Sequence, residues 1–237
     1  MENEYIMDYK AIRATARQKL SGNWGLSIGV AVVACLLGGL VTGSGFLPDV
    51  TKKITETLPD ALSTRNFRVL GSALTVSLTG GFWGLVTFII GGTIQLGYAQ
   101  YLLNQHDGKA FSFDDLFSQF HRFGQGFAQH FLRSLYVFLW MLLFIVPGFI
   151  KAYSYAMTPF IMADHPELSA SEAITRSREM MDGHKLELFV LGLTFIGWNI
   201  LCILTANLGY IALNPYTNAA YAAFYRQISG QRRYTDM

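Results

Sequence analysis

Charge is scarce in this chain, and it is withheld in blocks. Of 237 residues only 14% are Asp, Glu, Lys or Arg, against about 25% in typical soluble domains. None of the four occurs from Leu20 to Pro48, from Val69 to His106, from Ser134 to Ile150, or from Leu188 to Tyr225. A helix needs about 20 predominantly apolar residues to span a bilayer. The first two runs and the last are long enough, and the last has room for two passes. An ordinary soluble domain is excluded. A helix satisfies its own backbone in lipid, so helices are the expected spanning form.

Cysteine is equally sparse. Cys35 and Cys202 sit in apolar runs with no CxxC spacing or His partner, which reads as two small membrane-buried side chains and not as a disulfide or metal site. The net charge is only +2, with no basic stripe and interleaved aromatics, which excludes a nucleic-acid partner. No Walker A loop, HExxH helix, GxSxG elbow or dinucleotide-binding glycine motif occurs. No carboxylate pair lies inside an apolar run, as an ion relay would favour. Ser154 and Ser177 have no evident base partner. The sequence therefore calls for no cofactor and no metal, and it names no catalytic residue.

What is present is a set of helices. The expected fold class is all-α, a polytopic membrane protein of about six transmembrane helices plus amphipathic interfacial helices, in one domain over 1–237. Residues 1–23 read as a basic amphipathic helix. Tyr5, Tyr9, Ile12, Ala16 and Leu20 share one face, with Lys10, Arg13, Arg17 and Lys19 mostly off it, which suits an anionic membrane surface. A first span is expected over 24–46, opened by Trp24 at headgroup level. It holds Gly25/Gly29 and Gly39/Gly43 at GxxxG spacing. After a polar connection over 47–68, a second span is expected over 80–103, with 69–79 as its extension or an interfacial lead-in.

The segment 111–131 carries an aromatic stripe of Phe113, Phe117, Phe120, Phe127 and Phe131 with Leu116. It is too polar to span and too aromatic for water, so an in-plane interfacial helix is expected, with Ser112 as its cap. His106, His121 and His130 are not spaced as ligands on one helix face. Spans over 132–147 and 149–163 follow, separated by a tight end at Pro147-Gly148. Lys151 lies near the start of the second.

Ser169 and Glu172 form an S-x-x-E capping box for a cytoplasmic helix over 169–183, stopped by Gly183. Glu172/Arg176 and Arg178/Asp182 are spaced i,i+4 as helix-stabilising pairs. His184 and Lys185 follow its end, where donors meet free carbonyls. The last spans are expected over 188–207 and 210–226, with Pro215 as a kink site and a short polar tail. Six passes place both termini in the cytoplasm, and most Lys and Arg then fall inside. The four positive residues of the 47–68 loop run against that rule.

The residues also resemble a known family. GNW at 22–24, VPGFIKAYSYAMTPFIMADHPE at 146–167, AI-x-x-S-x-x-MM-x-GHK at 173–185, LTFIGW at 193–198 and AFYR at 223–226 are similar to a bacterial membrane family catalogued as domain of unknown function 975. The resemblance spans the chain and is far more specific in its C-terminal half. It implies an all-helical fold in a bacterial inner membrane and no established activity. The proline-ended span, acidic turn and helix with Ser177 and Gly183 are loosely similar to membrane domains beside glycerophosphodiester phosphodiesterases. No phosphodiesterase domain accompanies them, so that activity is not implied.

Three functions compete. The first is a non-enzymatic scaffold or accessory subunit, with membrane lipids, other membrane proteins or its own copies as partners. The second is a small-molecule or lipid transporter, resting on Gln95, Gln100, Asn199, Asn207, Asn214 and Lys151. The third is a lipid-modifying enzyme, resting on Asp164, His165, His184 and Lys185 near one membrane face. The residues singled out for a ligand or partner are Lys151, Asp164, Ser177, His184, Lys185 and Asn199.

Overall fold

The computed structural model describes residues 8–38, 67–205 and 208–235. The described residues are helical, with no strand among them. Helix α1 (Tyr9–Leu20) is capped by Asp8, whose Oδ1 accepts from the Lys10 and Ala11 amides at 2.9 and 3.0 Å. A 100° bend at Gly22, where φ is +86°, separates it from α2 (Trp24–Gly38). The long α3 (Phe67–Asp107) has 41 residues, about 60 Å of helix. Residues 69–79 are thus continuous with the expected second span. Tyr5, Gly39, Gly43, Asn207 and nearly all of the 47–68 connection lie outside the described residues.

The amphipathic face of α1 is used up inside the protein. Ile12, Ala16 and Leu20 are buried in the main core, and α1 packs along α10 (Tyr210–Thr235). This corrects the expectation that the face meets a membrane surface: its apolar residues meet α10 instead. Arg13 Nη1 reaches the Thr194 carbonyl at 3.5 Å, and the Tyr216 hydroxyl donates to the Arg13 carbonyl at 3.4 Å.

Residues 111–131 do not form one interfacial helix. Two short 3-10 turns, Phe113–Leu116 and Ser118–Arg122, precede α4 (Phe123–Leu143), which runs unbroken across the expected boundary at 131/132. The stripe divides accordingly. Leu116 is buried, Phe127 and Phe131 meet Phe88, and Phe113, Phe117, Phe120 and Phe131 remain exposed.

The chain turns at Phe144 into α5 (Ile145–Ser154), so Pro147 lies in the first turn of a helix and ends nothing. Proline is tolerated there because its missing N–H has no helical partner to lose. A single span over 149–163 does not form either. α5 stops at Ser154, and α6 (Thr158–Asp164) starts afresh with Pro159 in its first turn. Pro159 has no N–H to give the Tyr155 carbonyl, and its ring would clash there. At 10 residues α5 is about 15 Å long, half the thickness of a bilayer core.

Helix α7 (Ala170–Met180) matches its sequence signals. Ser169 Oγ accepts from the Glu172 amide at 3.4 Å, Glu172 Oε2 accepts from the Ser169 amide at 2.8 Å, and Gly183 adopts φ +82°. Then α8 (Lys185–Leu193) and α9 (Ile196–Leu204) run in tandem to a turn near Gly209, and α10 returns. α10 continues through Pro215 and past Arg226, so part of the expected tail is helix. Among the described residues, Lys185–Leu204 is long and apolar enough to cross a membrane alone; α1 with α2 passes the same test as a bent pair.

Contacts between helices rest on glycine, though not where GxxxG spacing pointed. A Cβ on Gly92 would strike the Gly126 carbonyl, and one on Gly97 the Leu116 carbonyl. Gly25 and Gly29 face open space. Their spacing defines a face that nothing in the described residues meets.

Candidate functional site

Each long charge-free run ends in a charge, and two of these end-charges meet a third charge, Asp164. Asp107 closes the run on α3, Arg226 the run on α10, and Asp164 the apolar stretch of α6. Arg226 donates from Nε to Asp107 Oδ1 at 2.9 Å, from Nη2 to Asp107 Oδ2 at 2.7 Å, and from Nη1 to Asp164 Oδ2 at 2.7 Å. The Tyr225 hydroxyl adds a bond to Asp164 Oδ2 at 3.0 Å. Burial alone would raise the Asp164 carboxyl, but Arg226 and Tyr225 hold it below its usual range. The three side chains are about four-fifths shielded from solvent. The cluster ties the C-terminal ends of α3 and α6 to the middle of α10. Sequence reading missed it, although the position of each charge at the end of a run was a usable signal.

A second cluster forms a cavity of about 280 Å³, lined by Ile150, Lys151, Ser154, Arg178, Glu179, Asp182 and Lys185. Lys151 comes from α5, Arg178 from α7 and Lys185 from the first turn of α8. Lys151 Nζ also lies 4.8 Å from the centre of the Trp140 ring, a cation–π distance. Lys185 donates to Asp182 Oδ1 at 3.0 Å. Asp182 thus ties the first turn of α8 to the end of α7. Beneath this cavity Ser177 is fully buried and donates to the Ser154 carbonyl at 2.9 Å, locking α7 to the end of α5. A larger hollow of about 590 Å³ at the α4–α5 turn is lined by Met141, Leu142, Leu143, Phe144, Val146 and Pro147, without a charge. The charged side chains line the smaller one.

The residues singled out from sequence thus separate. Lys151 and Lys185 share a cavity. Asp164 belongs to the Arg226 cluster, with His165 at 4.0 Å from it. His184 bonds Glu187 through Nδ1 at 2.6 Å. Asn199 donates to the Phe195 carbonyl one turn earlier at 2.9 Å. Among the proposed transport residues, Gln100 donates to Asn104 at 3.0 Å, and Asn214 lies 3.9 Å from Cys35 Sγ. Arg178 and Asp182 were visible in the sequence only as a helix-stabilising pair, and Glu179 was not singled out. Among the described residues no group of three His, Cys, Asp or Glu side chains is placed to hold a metal ion.

The described residues form an all-helical protein in which Arg226 joins Asp107 and Asp164 and the apolar turns are exposed. Residues 141–232 match the family described as "Protein of unknown function (DUF975)". The whole lining of the charged cavity falls inside that segment, as do Asp164, Tyr225 and Arg226, while Asp107 and the GNW at 22–24 fall outside it. No curated protein and no solved structure matches the chain.

Proposed function

We propose that the chain is a multi-pass bacterial inner-membrane protein with no catalytic activity of its own, a scaffold or accessory subunit that holds lipids or other membrane proteins. The observation that carries this reading is the exposed apolar surface at the hairpin turns. Leu142 is 73% exposed, Phe144 67%, Val146 69%, Leu204 77% and Leu208 70%. Soluble monomers rarely expose contiguous apolar patches above a few hundred Å². Both hairpins carry charges at their open ends and none at their turns, and Lys151 and Lys185 place those open ends together. On this reading α8–α9 crosses the bilayer, while α4–α5 enters from the charged face and turns back partway, because α5 is only half a bilayer long.

Alkaline carbonate washing of membranes containing the full chain tests insertion. The protein is expected to stay in the membrane fraction. Phe144→Cys and Leu204→Cys are expected to resist a membrane-impermeant maleimide, while Lys109→Cys reacts from the cytoplasmic side. Release by carbonate, or equal labelling of all three sites, would sink the reading.

A further inference from the structure

We infer that the cavity between α5, α7 and α8 is a headgroup site for an anionic glycerophospholipid, with Lys151, Arg178 and Lys185 facing the phosphodiester. The inference rests on the membrane reading above and gives that scaffold a specific ligand. Three cations from three different helices converge on one space, against the carboxylates of Glu179 and Asp182. The lining carries a net charge of +1, three positive against two negative, which complements one phosphodiester. The volume of about 280 Å³ is just below the roughly 300–1,000 Å³ of drug-sized pockets, so a headgroup fits and a whole lipid does not.

The cavity wall shows where the rest of the lipid would lie. Ile150 lines the cavity and is exposed, and Phe149 and Val146 continue the apolar surface along α5. Across from them α8 exposes Leu186, Phe189 and Leu193, and Phe189 sits edge-on to Tyr153 at 5.9 Å. Charged groups thus cap two exposed apolar helix faces that lead away from the cavity along α5 and α8. That order, charge first and then aliphatic surface, matches a phospholipid from phosphate to acyl chain. Lys151 is suited to the boundary because its stem can lie on apolar surface while the ammonium stays at the polar edge. Ser177 fixes the geometry from below, since its bond to the Ser154 carbonyl sets α7 against α5.

The test uses the full chain in nanodiscs of phosphatidylcholine doped with phosphatidylglycerol, phosphatidylethanolamine or nothing. Retained lipid is counted by native mass spectrometry after release into detergent. Wild type is expected to retain phosphatidylglycerol selectively. Lys185→Gln and Lys151→Gln are each expected to weaken that retention about tenfold, the value of one charge-assisted hydrogen bond. Lys109→Gln, on an exposed side chain paired with Asp107, serves as the control and should leave it unchanged. Equal retention by wild type and both variants would overturn the inference, as would a preference for phosphatidylethanolamine. Competition by free glycerol phosphate as strong as by the lipid would assign the site to a soluble phosphate instead. A chain that inserts but shows no selectivity refutes the headgroup site alone; a chain that never inserts refutes the membrane reading.

Discussion

Arg226 grips Asp107 with two parallel hydrogen bonds, Nε to Oδ1 at 2.9 Å and Nη2 to Oδ2 at 2.7 Å, while its remaining amino group holds Asp164. The fork geometry is one that lysine cannot copy. Arg226→Gln leaves Asp164 without its guanidinium partner and Asp107 with the exposed Lys109. Fully buried pairs lose about 3–5 kcal/mol when one partner is removed. With about a fifth of each side chain exposed, roughly 2–3 kcal/mol is expected here. Thermal unfolding in detergent should fall clearly for Arg226→Gln, and nearly as far for Arg226→Lys. An unchanged midpoint would show that the cluster holds nothing together.

The same cluster predicts a pH dependence. The Asp164 carboxyl titrates below its ordinary value in the folded chain, so ionised Asp164 favours the fold. That contribution is fully present above the unfolded carboxylate pKa. It is lost as pH falls through the lower folded value. Unfolding midpoints across the acid range should drop more steeply for wild type than for Asp164→Asn, which has no carboxyl to protonate. Parallel curves for the two would contradict the assignment.

How much of this was legible depends on the range of the interaction. The Ser169/Glu172 box and the Gly183 stop were readable because each is settled within a few residues. Pro159 was also local, yet the apolar stretch around it suggested one span where its ring forces two short helices. Composition gave the helices and the charge-free runs. It could not give their partners. GxxxG spacing pointed to Gly25 and Gly29, while the close approaches are Gly92 with Gly126 and Gly97 with Leu116, because spacing defines a face and not what meets it. Lys151 and Lys185 were singled out separately, and only the packing of α5 and α8 brings them to one cavity. The α1 face failed for a related reason: an amphipathic pattern fits a membrane surface or a neighbouring helix equally well.

At Gly92 α3 and α4 approach closely. An added methyl would strike the Gly126 carbonyl and the His130 Cβ, so backbone must move. Overpacking a well-packed site costs about 1–3 kcal/mol, and a backbone obstacle places Gly92→Ala at the upper end. Gly29→Ala, which faces open space, is expected to be neutral or slightly stabilising through helix propensity. Comparing the two unfolding midpoints separates close packing from simple glycine content, and a neutral Gly92→Ala would refute the contact.

The capping box makes a smaller and more local claim. Ser169→Ala removes the acceptor for the Glu172 amide and one donor to Glu172 Oε2. A loss of about 1 kcal/mol is expected. Hydrogen exchange should rise in the first turn of α7 and stay unchanged in α3, whose contacts are elsewhere. Uniform exchange changes across the chain would mean that α7 is not a separable unit.

Ser177 separates a structural role from a chemical one. It is fully buried and its hydroxyl is committed to the Ser154 carbonyl, which leaves it no proton acceptor typical of a nucleophile. Ser177→Ala removes that donor and leaves the Ser154 carbonyl without it, costing about 1–2 kcal/mol. The substitution leaves every side chain of the charged cavity in place, so selective retention of phosphatidylglycerol should fall only slightly at a temperature where the variant is folded. Ser177→Val adds a methyl group at a fully buried position as well as deleting the bond, and is expected to lower the unfolding midpoint further. A Ser177→Ala variant that keeps full stability but loses lipid retention would show that the hydroxyl acts on the ligand and not on the packing of α7 against α5.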